Sequence, residues 1–383
     1  VRLKNVWRLA YNPKYSRTYY PEEERKTKFR IFLENLWWLV RHQEVNRSYY
    51  MYGFDRRRGF QPNDYLSEGE SRKLRNGLRA EFARRLGGYR YEALSADKFL
   101  FGQYLQGLGF PTPRILGLCQ GGSLIWLAGE ARTESLESIL TRDIDAVLKD
   151  CAGLQGTGVL LFAVRNGRLT VEGQPTSIEE LRRRIKGNWL IQERLVQHPE
   201  MSRLYPHSIN TIRIVTVMPD DQPFLFCANG RMGTNGRTKD NWSIGGITVA
   251  VDLESGRFGR YGYYKPGYGT RVDAHPDTGV RLGDIQVPFW REATRLVLDL
   301  HRMFYGFHSL GWDVAFTESG PTIVESNHDW LLTFMQAAHG GLRQRFLETA
   351  PLAARSRRRT EGSFTGSPAG VFDSATRHAP EEG

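Results

Sequence analysis

Three side chains late in the sequence carry the ligand set of a hard cation. The stretch Gly311-Trp312-Asp313-Val314-Ala315-Phe316-Thr317 is followed, after a short turn, by Pro321-Thr322-Ile323-Val324-Glu325-Ser326-Asn327. Both read as strands, and a tight connection makes them neighbours. Residues two apart on a strand share a face, so Glu325 and Asn327 project together, Asp313 meets them from the adjoining strand, and Val324 turns to the core. Two carboxylates and an amide oxygen suit Mg²⁺, with positions left for water and nucleotide phosphates. Acids at strand ends can equally be solvated, so the residues upstream decide the reading.

Arg213 lies in an apolar strand, 211–218, whose Ile212 and Ile214 face the other way. Its guanidinium therefore shares a space with Thr211, and such a fixed fork of donors suits a γ-phosphate or a substrate carboxylate. Arg231, ahead of the loop 233–239, is a second candidate for stabilising transferred charge. Either can instead be a structural ion-pair partner. Gly153, Gly156 and Gly158 follow a strand that ends at Lys149, and their missing side chains let backbone N–H groups approach phosphate oxygens. No Ser, His and Asp arrangement, no paired zinc ligands and no dinucleotide fingerprint in strand-turn-helix context occurs.

The order of these motifs resembles the ATP-grasp superfamily, and their wording resembles its sugar-transfer-associated branch, over residues 95–329. The strings that carry the likeness are Ser208-Ile209-Asn210-Thr211-Ile212-Arg213, Asp240-Asn241 with Gly245-Gly246, His275-Pro276 with Thr278-Gly279, Gly311-Trp312-Asp313 and Glu325-Ser326-Asn327. The resemblance implies ATP and two Mg²⁺ ions as cofactors. It implies that Lys98 and Lys149 hold phosphates, that Glu193 takes the adenine amino group, that the backbone near Val196 pairs with the ring edge, and that Glu200 binds the ribose. It places Asn210, Asp240, Asn241 and His275 at the substrate, although a His beside Pro is commonly a turn residue. Asp150 follows Lys149 where many members carry Pro.

The elements that must position these residues divide the chain. Residues 22–48 read as a helix with Phe29, Phe32, Leu33, Leu36 and Val40 in one stripe beside Trp37 and Trp38, expected to be core. A second helix opens at Ser67 with Glu70 at capping-box spacing and stops at Gly87-Gly88. From residue 95 the texture becomes strands and helices punctuated by Gly and Pro. A helix over 95–108 is followed by strands at 123–127, 146–149 and 159–164, a helix capped by Ser177 with Glu180, and a strand at 189–195. Strands at 211–218, 224–227 and 247–252, a helix near 288–305 and the two strands of the metal motif complete the pattern. The expected fold is α+β, a clamp of two α+β subdomains (95–198 and 199–350) behind a mainly helical basic region (1–94), with a disordered tail (351–383).

The chain has 383 residues, 40% of them hydrophobic, which is enough for a sizeable core in more than one domain. No apolar run is long enough to span a membrane and no leader pattern opens the sequence, so a cytoplasmic protein is expected. Cys119, Cys151 and Cys227 lack paired or zinc-type spacing and are expected to be reduced and buried. Of the net charge of +11, residues 1–95 hold nearly all, with 21 Lys and Arg against 11 Asp and Glu. Such charge is a solvated basic face or a site for an anionic substrate or carrier. By itself it leaves nucleic acid and acidic membrane open too, though nucleic acid is not the expected partner.

The resemblance to ATP-grasp enzymes implies amide formation between a carboxylate and an amine through an acyl phosphate, with small-molecule acid and amine substrates, on an amino acid, a sugar, a glycan precursor or a secondary metabolite. Two alternatives stand beside it. One is a small-molecule kinase using the same site, and the other an inactive module that binds an anionic polymer.

Overall fold

A computed structural model of the chain describes residues 2–127, 131–153, 158–219 and 221–349, and the tail expected to be disordered lies outside them. The amino-terminal region contains α1 (Arg2–Tyr11), α2 (Lys28–His42) and α3 (Glu68–Arg85). Thr27 starts α2 by accepting the Arg30 amide, and Gln43 ends it in the left-handed region. The helix is therefore shorter than 22–48, and its orientation differs from the expected one. Ile31, Glu34, Asn35 and Trp38 are buried, whereas Phe29, Leu33, Trp37 and Val40 are 64%, 45%, 42% and 67% exposed. The polar residues go inside because partners await them: Glu34 bonds Lys26 at 2.9 Å and the Tyr49 hydroxyl at 2.5 Å, and Asn35 donates to the Ile31 carbonyl. Each large apolar side chain left partly outside forgoes a share of the about 1.5–3 kcal/mol that full burial gives. At α3 the capping box of Ser67 and Glu70 is formed in both directions.

This region buries a tyrosine-rich cluster that Tyr263 and Ala337 complete, and it also packs on the second sheet. Leu66 and Leu78 pack with Val215, Val217 and Trp330, and the Gln336 amide bonds both the N–H and the carbonyl of Leu66. Arg75 pairs with Asp329 at 2.7 Å and donates to the Trp330 carbonyl. The amino-terminal helices thus brace the loop that follows Asn327.

The expected helix over 95–108 is two helices, α4 (Glu92–Ala96) and α5 (Lys98–Gly107). Asp97 breaks it because its side chain caps α5, accepting from the Phe99 and Leu100 amides. Lys98 consequently begins a helix rather than sitting within one.

The first sheet contains β1 (Ile115–Gln120), β2 (Ser123–Trp126), β3 (Arg132–Ser135), β4 (Ile144–Asp150), β5 (Val159–Arg165), β6 (Arg168–Val171), β7 (Gln174–Pro175) and β8 (Asn188–Glu193), in the order β3-β2-β1-β8-β4-β5-β6-β7. Ala146, Leu148, Phe162 and Ile191 face one side, under Ile178 and Leu181 of α6 (Ile178–Arg184). Alternation then turns Lys149 and Gln192 to the opposite side.

After α7 (Pro199–Leu204), the second sheet contains β9 (Ile212–Val217), β10 (Phe224–Met232), β11 (Ile247–Val251), β12 (Phe258–Tyr264), β13 (Arg271–Val272), β14 (Ser309–Thr317) and β15 (Gly320–Asn327), in the order β13-β12-β11-β10-β9-β14-β15. One face packs on α8 (Trp290–Met303) through Ile212, Ile214, Trp312 and Val314. Part of the other is covered by α9 (Leu332–His339) with Trp330. The remainder carries the charged residues. All three cysteines are buried and unbridged, and among the described residues no helix is long and apolar enough to cross a membrane.

Candidate active site

Register places the acids. Asp313 on β14 stands opposite Glu325 on β15 and, on its other side, opposite Arg213 on β9. The pairing of β14 with β15 slips between Asp313 and Val314, leaving Val324 without an opposite number. This bulge corrects the expected alternation. Without it Ile323 and Glu325 would share a face, whereas here Ile323 is in the core and Val324 is half-exposed while Glu325 turns to the cleft.

Asp313 is not a free metal ligand. Arg213 donates to it from both Nε and Nη2, and Arg231 donates from Nη1 at 2.6 Å. Arg231 also donates to Asp240 at 3.1 Å, and Asp240 accepts from the amide and hydroxyl of Thr211. Burial alone would raise Asp313, but the two guanidinium groups hold it below the ordinary carboxylate range. Burial would likewise discharge Arg231, but Asp240 and Asp313 keep it charged. Glu325 moves the opposite way, raised by burial and by Asp313, with Lys98, Arg213 and Lys149 opposing.

The side chains of Glu325 and Asn327 make no hydrogen bond among the described residues, and the Asn327 side-chain nitrogen is buried with no partner. A half-buried carboxylate and an amide oxygen with no protein donor fit a cation, while the orphaned Asn327 nitrogen is a donor and suits an acceptor oxygen. Among the described residues no cluster of three His, Cys, Asp or Glu side chains offers another metal site.

Gly311 makes the ionic cluster possible. A Cβ there would lie 2.9 Å from both Arg213 Cδ and Trp330 Cβ, so Gly311→Ala pushes Arg213 off Asp313. We expect a loss of about 1–3 kcal/mol, read from denaturant midpoints.

Across the cleft, Lys149 donates to the Gln192 side chain at 2.8 Å, and Gln192 donates to the Pro113 carbonyl. Gln192 is thus a positioning residue that motif reading passed over, brought to Lys149 by the pairing of β8 with β4. Burial lowers Lys149 to about 8, with Glu325 and Asp313 opposing and Lys98 adding to the effect. Lys98 reaches the Gly153 carbonyl with its ammonium and the Cys151 carbonyl with its amide. Asp150 closes the Gly-rich loop by donating its amide to the Gly158 carbonyl at 2.7 Å. Proline at 150 would forfeit that bond. A side chain on Gly158 or Gly153 would strike Asp150, and Gly156 lies outside the described residues.

Other expected site residues serve as scaffold. Asn210 spends its amide hydrogens on the carbonyls of Met201 and Tyr205 and on Gln197 and is 1% exposed, so it fixes the turn ahead of β9 and touches no open space. His275 accepts from the Asp277 amide at Nδ1, which puts its proton on Nε2 and toward the Gly233 carbonyl. It stacks on Tyr205 and holds the loop 233–246 instead of a ligand. Asn241 precedes the short turn Trp242–Ile244 at the loop's base, where its backbone carbonyl accepts from the Ile244 and Gly246 amides and its side chain makes no cap bond. Glu193 faces away from Lys149, accepting the Arg114 amide at 2.8 Å. With Val196, which is 80% exposed, it lines a groove of about 380 Å³ shared with Thr317 and Thr322. Glu200, on α7, pairs with Arg203 and is not part of that groove.

Two antiparallel sheets that face one another across lysines on one side and acids with arginines on the other define the ATP-grasp architecture. The sugar-transfer associated ATP-grasp family model matches residues 77–350, and the chain belongs to that family. None of the curated proteins matches it in sequence. Among solved structures, the ATP-grasp ligase PsnB complexed with precursor peptide PsnA2 and AMPPNP is 14% identical, with 76% of this chain and 69% of that chain covered and a TM-score of 0.40. The D-alanine-D-alanine ligase from Coxiella burnetii is 8% identical, with 70% and 60% covered and a TM-score of 0.39. N5-carboxyaminoimidazole ribonucleotide synthetase from Thermotoga maritima is 12% identical, with 66% and 47% covered and a TM-score of 0.35. All three likenesses are distant.

Proposed function

We propose that the protein is a Mg-ATP-dependent carboxylate–amine ligase that forms an amide through an acyl phosphate and releases ADP. The observation that carries this reading is the unpartnered pair Glu325 and Asn327, set beside the Arg213–Asp313–Arg231 cluster and across from Lys98 and Lys149. Glu325 and Asn327 would hold magnesium, with Asp313 joining if an arginine yields; the ion supplies neutralisation of phosphate charge. Lys98 and Lys149 bind phosphate oxygens. Arg213 and Arg231 stabilise charge as an oxygen of the acid substrate bonds to the γ-phosphorus and the bond to ADP breaks. The amine then bonds to the carbonyl carbon, phosphate leaves, and the amine proton passes to solvent. Nothing in such a route needs a protein nucleophile.

The test is ADP and AMP release screened over acids and amines. ADP formed only when both substrates are present supports the ligase. AMP release, or ADP formed with a hydroxyl compound alone, contradicts it.

Lys149 gives the proposal a pH signature. In the empty site its ammonium is lost as pH rises through about 8, and phosphate favours the charged form, so ATP binding takes up a proton there. Above that pH, Mg-ATP affinity should fall toward about tenfold per pH unit. Calorimetry in buffers of different ionisation enthalpy reads the uptake directly, and Lys149→Arg should abolish it.

A further inference from the structure

We propose that the exposed face of α1 and α2 docks the protein on the surface of an anionic lipid bilayer. Leu3, Trp7, Phe29, Leu33, Trp37 and Val40 are exposed, each by 42% or more. They form one surface: Trp7 stacks on Tyr11 and Tyr11 meets Phe32 of α2, while Phe29, Leu33 and Trp37 line an open groove of about 520 Å³ with Phe60. An apolar patch of this kind on a folded chain marks a contact surface.

Charge selects the occupant. Arg2, Lys4, Arg8, Lys28 and Arg41 on the same two helices have no acid partner among the described residues, and the acid these helices contain, Glu34, is consumed by Lys26 and Arg30. The acids just ahead of α2 are spent as well, Glu22 on Arg271, Glu23 on Arg56 and Glu24 on Arg57. The face is therefore aromatic and aliphatic with a cationic border. A second copy would set cations against cations. Nucleic acid would satisfy the cations and rings but leave Leu3, Leu33 and Val40 without a stacking partner. A bilayer rich in anionic lipid answers both, with acyl chains for the apolar side chains and headgroups for the border.

The test is co-sedimentation of the full chain with vesicles of phosphatidylcholine alone and with about one-third phosphatidylserine, at ~0.1 M salt, where charge attraction still reaches about 10 Å. Partitioning should be at least about tenfold stronger onto the anionic vesicles and weaken at higher salt. The double variant Leu33→Glu with Val40→Glu, both surface changes, should lose about tenfold or more while its melting temperature and ADP release stay unchanged. Arg2→Glu with Arg8→Glu should lower only the anionic-lipid component. The proposal is overturned if vesicles of neither composition bind, or if Leu33→Glu with Val40→Glu binds as the parent does. It is equally overturned if the lipid-free protein forms a dimer that this variant breaks, or if an oligonucleotide, not the vesicle, is what the face retains.

Discussion

Glu325→Gln should reduce ATP turnover by about 10³-fold and leave the melting temperature unchanged or slightly higher. The two halves of this expectation come from the same geometry. Glu325 is half-buried, its side chain has no hydrogen-bond partner among the described residues, and its pKa is raised by burial and by the repulsion of Asp313 opposite. A neutral amide of the same shape removes that repulsion at no cost in contacts, so stability is worth up to about 1 kcal/mol more without ligand. The charge that magnesium needs is gone. Mg-ATP binding by calorimetry and melting by calorimetric scan together read the result. A residue kept for structure would show the reverse, a lower melting temperature with ATP binding intact.

Arg231→Met should behave oppositely, losing both stability and activity. Arg231 is buried and bridges Asp313 and Asp240 at 2.6 and 3.1 Å. Its removal leaves Asp240 with Thr211 alone and Asp313 with Arg213 alone. Breaking a buried ion pair from one side costs about 3–5 kcal/mol, which denaturant midpoints resolve easily. Adding Asp240→Asn should return part of that stability, because the uncompensated charge disappears, without restoring turnover. Arg231→Lys should rescue poorly, since a single ammonium cannot span two carboxylates as a guanidinium does.

The sequence was informative where the physics is local. The capping box at Ser67 and Glu70 follows from adjacent side chains and is formed in the structure. That Asp313 meets Glu325 from a neighbouring strand follows from two strands joined by a short turn, although the turn's own register would set Asp313 opposite Val324. The sense of α2 could not follow, because its apolar residues occupy more than one arc and only Lys26, Tyr49 and the tyrosine-rich cluster behind it decide which arc is buried. The bulge at Val324 was equally hidden, being set by the need to bury Ile323 while Glu325 faces the cleft. Asn210 and His275 carry motif residues into scaffold roles because their hydrogen-bond partners lie in loops whose folding no short string encodes. Gln192 is the converse, an ordinary residue placed at Lys149 by strand order.

The central claim, that ATP's γ-phosphoryl group is transferred to a carboxylate, is tested most directly by hydroxylamine trapping. The protein is incubated with Mg-ATP, candidate carboxylic acids and hydroxylamine in place of the amine. An acid-dependent hydroxamate formed in step with ADP, and lost in Glu325→Gln, is the predicted result. A stable phosphoester, or AMP and pyrophosphate in place of ADP, would contradict it.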